Sequence, residues 1–337
     1  MIPPDAPHGI TGPEEFEPIL AASPDDLEAR ERAMAWYALF APDDAMAKHH
    51  TRELLRWHPD SFHVYSTNFS HFDRDPAFRE EVESSLVAAR AAGRREHRLL
   101  FTLASVVAHR AIAPRFETDL HRHFWLQYFG LPDDYPIEAQ ASEARAREAI
   151  GYLREAIAAA RGTEDSLFIG LYAEQMLDLL IGLEQRDEAA NAAAEILGPS
   201  DRAPMPDFQL TYGSLLVDLG RWGDARRAFE AAIGEDQRQF GSCGHVAARA
   251  HLGLGTVALV HDDDPARAIV HLLAASSVAP CMHTRTQGLG VGLARRLVER
   301  GERDAVRTYC KTVLRDVCPT DGLIHLLLGS LGESSLA

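Results

Sequence analysis

Between Asp26 and Leu328 apolar side chains recur at intervals of three and four, with Ala, Leu, Arg and Glu filling the positions between them. That period puts the apolar residues on one face of a helix, and no run alternates β-branched residues as a half-buried strand would. Breakers interrupt the pattern at Pro42, Pro59, Pro76, Gly93, Pro114, Pro132 with Pro136, Gly162, Gly198 with Pro199, Gly220, Pro265, Pro280, Gly301 and Pro319. Helices of about 12–18 residues fit between them, which predicts an all-α fold. Residues 1–24 hold six of the 18 prolines and no sustained apolar period, and predict an extended arm.

Aligned against itself, the second half repeats. YGSLLVDLGRWGDARRAFEAAI places Gly213, Gly220, Trp222, Ala225, Phe229 and Ala232 in an order that returns downstream as Gly255, Ala268, Leu272, Ala275 and Pro280. One extra residue in the Asp262–Asp264 turn is needed for that register. The order returns again as Gly301, Ala305 and Tyr309, and upstream as Ala189 and Ala193. The alanines Ala189, Ala225, Ala268 and Ala305 lie 36, 43 and 37 residues apart. Small residues at these intervals let two antiparallel helices approach, and a large side chain one turn later fills the adjoining hole.

This frame resembles the tetratricopeptide repeat, a helix pair with a period of about 34 residues. Ala47, Leu54 and Pro59 form a degenerate echo of it near the N-terminus. The resemblance implies a right-handed α-solenoid of antiparallel helix pairs, degenerate in the N-terminal half. It also suggests an organisation into an arm (1–24), a helical region (25–165) and a repeat array (166–330). In such repeats the first helix of each pair faces the concave side, where extended or helical peptides bind. Carried over position by position, the surface consists of Glu174, Asp178 and Ile181, then Ser214, Val217 and Asp218, then Arg249, Leu252, Thr256 and Leu259. The carboxylates there favour a basic or neutral segment by charge complementarity, and no lysine or paired Arg–Asn clamp for a terminal carboxylate is present.

Charge narrows the partners. A formal net charge of −16 argues against nucleic acid or an anionic membrane as the main ligand. Residues 1–200 carry 19 basic and 34 acidic side chains while residues 201–337 carry 15 and 16, so the imbalance belongs to the first part. Two lysines against 32 arginines, with abundant alanine, look like a GC-rich bacterial genome. The start lacks a basic and an apolar signal region, and the four cysteines share no CxxC spacing, so a reduced cytoplasmic protein is expected.

Candidate chemistry is sparse. Walker A, GxSxG, kinase and EF-hand patterns are missing, and GLGVG at Gly288–Gly292 has no preceding strand. Among 16 histidines none shows the i, i+4 pairing of HExxH ligation. Histidines on different helices could still converge, and the set His50, Glu53, His97 and His109 is the metal-site alternative. Asp25–Asp26, Asp43–Asp44, Asp133–Asp134 and Asp262–Asp264 precede helices or occupy turns, where capping explains them. Two aromatic clusters, Trp36–Tyr37–Phe40 and Phe124–Trp125–Tyr128–Phe129, suggest core packing first. The leading expectation is thus a cofactor-free, non-enzymatic scaffold for a protein or peptide partner, against a helical metal-binding protein or enzyme using the histidines of 49–123. A subunit that self-associates through an exposed terminal repeat remains a third possibility.

Overall fold

The computed structural model describes residues 12–40, 43–66, 68–109, 111, 142–198, 206–239, 244–278, 289–319 and 321–332, and every regular element among them is helical. By their contacts these residues fall into two units, 12–111 with 142–183, and 184–332.

The first unit opens with α1 (Pro13–Ala22), where an extended arm was expected. Pro13 sits in the first turn, where its missing N–H costs nothing, and Glu14 and Glu15 complement the positive end of the helix. Phe16 and Leu20, one turn apart, are buried, and this apolar pair outweighs the proline content of the segment. The chain continues through α2 (Leu27–Ala35), a π-helical turn over Trp36–Phe40, α3 (Asp44–Trp57), the short α4 (His63–Ser66) and α5 (Phe69–Arg74), α6 (Pro76–Ala91), α7 (His97–Val107), α8 (Glu143–Ala160) and α9 (Ile169–Gly182). Neighbours in sequence pack as pairs: α1 on α2, α2 on α3, α6 on α7, α7 on α8 and α8 on α9. Ala47 and Leu54, from the degenerate repeat, are fully buried in the α2–α3 pair. Asp26, Asp43 and Asp75 each accept backbone N–H groups at a helix start, so the acidic pairs at 25–26 and 43–44 do serve as caps. Asp133–Asp134 and the Phe124–Phe129 cluster lie outside the described residues.

The second unit stacks α10 (Arg186–Ile196), α11 (Pro206–Asp218), α12 (Trp222–Gln239), α13 (Gly244–Val260), α14 (Pro265–Ser276), α15 (Gly292–Glu299), α16 (Arg303–Thr312) with a π-helical extension over Val313–Val317, and α17 (Gly322–Ser330). Packing runs in order, and α11 also reaches α13 while α14 reaches α16. Ala189, Ala193, Ala225, Ala232, Ala268, Leu272, Ala275 and Tyr309 are all fully buried, as the repeat frame requires. Ala305 is half-buried, and its neighbour Val306 takes the buried place. The unit boundary falls between Leu183 and Glu184 instead of at 165–166. The first helix of the Ala189 frame, α9, therefore belongs with α8 in the first unit. Residues 289–291, inside the GLGVG stretch, are non-helical, and α15 starts at Gly292.

The turns repeat as well. Gly220 (φ 68°) and Gly301 (φ 90°) adopt left-handed backbone two residues before α12 and α16. Glu184 (φ 61°) and Asp263 (φ 53°) occupy the same place before α10 and α14. A left-handed conformation strains residues that carry a Cβ and costs glycine almost nothing. Glu184→Gly is accordingly expected to stabilise the protein by about 0.5–1 kcal/mol, read from the urea midpoint; an unchanged or lower midpoint contradicts this account of the turn.

Candidate functional site

Phe229 organises the second unit. Its ring is buried to 2% exposure and lies between two helices. A methyl group on Gly213 of α11 would stand 2.7 Å from the ring, and one on Gly253 of α13 would stand 2.4 Å from it. Only glycine leaves room on both sides, so α11 and α13 close on the ring from opposite directions.

Above this contact opens a groove of about 290 Å³, lined by residues of α11, α12, α13 and the start of α15. Leu210, Phe229 and Leu293 supply buried apolar surface, Val217 and Leu252 are half-exposed, and Ser214 and Asp218 are exposed. Arg249, Gly253, Thr256, Gly290 and Gly292 complete the lining. Thr256 donates its hydroxyl hydrogen to the Leu252 carbonyl at 2.9 Å, which leaves its methyl group and oxygen lone pairs for other contacts. Arg249 approaches Asp207 at 3.9 Å, and the same carboxylate meets His245 Nε2 at 2.9 Å.

The groove wall at Leu289–Leu293 is tied to the last helix. Asp321 is buried to 2% exposure, and its carboxylate accepts the N–H groups of Leu323 and Ile324 at the start of α17 and of Leu289 across the packing interface. Tyr309 reaches the Gly290 carbonyl at 3.4 Å. Burial pushes the Asp321 carboxyl above its usual range, and the three N–H contacts oppose that rise.

Six of the ten surface residues expected from the sequence, Ser214, Val217, Asp218, Arg249, Leu252 and Thr256, therefore meet in one groove. Glu174 and Asp178 do not join this lining. They lie on α9 in the first unit, half-buried and exposed respectively. Ile181 and Leu259, expected on the open face, are buried because the apolar sides of α9 and α13 are wider than one repeat position suggests.

The metal alternative does not assemble. Among the described residues no three of His, Cys, Asp and Glu come together in a metal-holding group. His50 accepts a hydrogen bond from the Arg30 guanidinium at 2.9 Å and stacks on Tyr37 at 5.4 Å. His97 is held by Tyr172 at 2.7 Å and Asp165 at 3.1 Å, and His109 stands edge-on to Tyr65 and Phe72. Glu53 receives the Trp57 indole N–H at 3.4 Å. Each histidine is a packing member of a different helix contact. Burial, then the Arg30 charge, lowers the His50 pKa to about 4, and burial raises that of Tyr172.

One further pair of histidines meets in the second unit. His251 on α13 and His271 on α14 point Nδ1 at Nδ1 across 3.2 Å, with both rings half-buried. Burial lowers both pKa values, and for His271 the facing histidine and the Arg267 and Arg226 charges lower it further. The two lie ten residues either side of His261, which begins the turn, so the antiparallel hairpin of α13 and α14 brings them together across the helix pair. That symmetry was available in the sequence.

No family model matches the chain, and no curated protein matches it. Among solved structures the chain is similar to the crystal structure of the TPR domain of P58(IPK), with 13% identity, coverage of 95% of this chain and 82% of that one, and a TM-score of 0.23.

Proposed function

We propose that the protein is a non-enzymatic interaction module whose second unit takes an apolar anchor side chain of a partner protein or peptide in the groove between α11 and α13. The observation that supports this reading is the composition of the lining: an apolar floor at Phe229, Leu210 and Leu293, edged by Ser214, Asp218, Arg249 and Thr256. Peptide grooves combine these two features, a desolvated pocket for affinity and placed polar groups for orientation. A volume of about 290 Å³ stands at the small end of ligand cavities and suits one anchoring residue better than a whole cofactor.

The charge preference is narrower than the sequence suggested. Asp218 is exposed at the groove and favours a Lys or Arg beside the anchor, whereas Glu174 and Asp178 give no support from the first unit. Arg249 shares Asp207 and adds no second acidic preference.

Selection of a phage-displayed peptide library on the full chain tests the reading. Enriched peptides are expected to carry an apolar residue next to a basic one, and Leu252→Glu is expected to weaken their binding at least tenfold, while Asp218→Arg removes the basic preference. Enrichment of sequences that bind both variants as tightly as the parent would place binding elsewhere and defeat the proposal.

A further inference from the structure

We propose that His251 and His271 form a binding site for one divalent transition-metal ion of the class that imidazole prefers, with Zn(II) as its representative. Their Nδ1 atoms are 3.2 Å apart, and the rings tilt by 34° with centroids at 5.5 Å. A metal ion about 2.0–2.1 Å from each nitrogen subtends an angle of roughly 100° at that separation, close to the tetrahedral value. The nitrogens are thus already placed as two corners of a coordination tetrahedron.

The scaffold fixes this spacing. A methyl group on Gly255 would stand 3.2 Å from His271 Cβ and 3.3 Å from the Ala268 carbonyl, so α13 and α14 touch beside the pair. A site on two rigid helices keeps its geometry better than one on loops. In the metal-free pair one ring donates Nδ1–H and the other accepts it. Binding requires the donor ring to carry its proton on Nε2 instead, a tautomer change without net proton loss. Both rings are half-buried, so water reaches the open side and supplies the remaining ligands. With no third protein ligand converging among the described residues, the coordination is two imidazoles and solvent. Arg226 and Arg267 oppose a cation here, but Asp262 meets both, at 2.5 Å and 3.7 Å, and offsets part of their charge. Imidazole ligation selects Zn(II), Ni(II) or Cu(II) over Mg(II) and Ca(II).

Titration calorimetry of the full chain with Zn(II) near pH 7.5 gives the test, with His325→Ala as a control on α17. One equivalent is expected to bind to the parent and to His325→Ala and to raise the melting temperature, while Mg(II) and Ca(II) do neither. His251→Ala and His271→Ala should each weaken binding at least tenfold and abolish the thermal shift. Independently of any variant, substoichiometric Ni(II) should broaden the ring resonances of His251 and His271 before those of other histidines. Zn(II) that binds the two variants as tightly as the parent, no saturable binding, or broadening that begins elsewhere among the 16 histidines overturns the site. Each outcome is separate from peptide selection at the groove, so either proposal stands or falls alone.

Discussion

Phe229→Ala is expected to destabilise the second unit by about 3–5 kcal/mol, the usual cost of deleting a fully buried aromatic ring. The reason for the upper part of that range is the two-sided contact. The ring fills space that neither Gly213 nor Gly253 can fill, so its loss leaves a void between α11 and α13. The complementary substitution tests the same geometry from the other side. Gly253→Ala gains up to about 1 kcal/mol of helix propensity. Its methyl group, however, would lie 2.4 Å from a ring that Gly213 blocks from behind. Overpacking of about 1–3 kcal/mol should dominate, so the net effect is destabilising. Combining Gly253→Ala with Phe229→Leu should then cost less than the sum of the two singles, with a coupling of about 1 kcal/mol or more. Urea unfolding followed by tryptophan fluorescence reads all four variants. Strict additivity would mean that the ring is not clamped.

This clamp also shows what could and could not be read in advance. Gly213, Ala225, Phe229 and Ala232 were legible because a helix pair needs small residues at fixed intervals, and the intervals were present. Gly253 is not legible, because the frame assigns one small residue to each first helix and Gly255, two positions on, satisfies it. The structure uses both: Gly253 faces back to Phe229, while Gly255 faces forward to His271 and Leu293. Residues two apart on a helix point to different neighbours, and a linear frame that follows one face cannot see the other. The groove was legible in its rim, since Ser214, Asp218, Arg249 and Thr256 share a register. It was not legible in its end wall, which Leu289–Leu293 form only because Asp321 and Tyr309 hold them from α16 and α17. The N-terminal helix is hidden in the sequence for a different reason. Its proline content masks the Phe16–Leu20 pair and the acidic first turn, although Pro13 stands where a helix accepts proline. The histidines of 49–123 suggest ligation by number alone; His121 and His123 lie outside the described residues, while His50 meets a guanidinium and His97 a phenol and a carboxylate that fix them as packing groups.

The partners of His50 lead to the second large effect, a loss of stability in mild acid. His50 Nδ1 accepts from Arg30, which places the ring proton on Nε2, turned toward Glu17 of α1 at 3.7 Å. Tyr37 stacks on the ring and donates to Glu17, His49 stands edge-on from the same helix, and Glu53 acts on Arg30. Protonating Nδ1 would set a second cation against a guanidinium, with both side chains buried. The folded-state pKa therefore falls to about 4, against the ordinary 6.5 that the unfolded chain retains. Because the unfolded state binds the proton more readily, stability is complete above about pH 6.5 and declines as pH falls toward 4, where the folded state also titrates. At pH 5 His50 alone accounts for a loss of about 2 kcal/mol. His71, His251 and His271 are shifted in the same direction by burial and steepen the decline. Asp321 has the opposite sign, since a raised carboxyl favours the folded state while it is protonated and loses that advantage as pH rises. The lowered carboxyls of Asp75, Asp165 and Asp262 act below the carboxylate range, outside this window. His50→Gln keeps an acceptor for Arg30 and removes the titration. Its urea midpoint should therefore fall less than that of the parent between pH 7.5 and pH 5, by an amount worth about 2 kcal/mol. Parallel profiles for the two proteins would show that the ring is solvated and free to protonate, and that the Arg30–His50 contact does not hold α2 against α3 in solution.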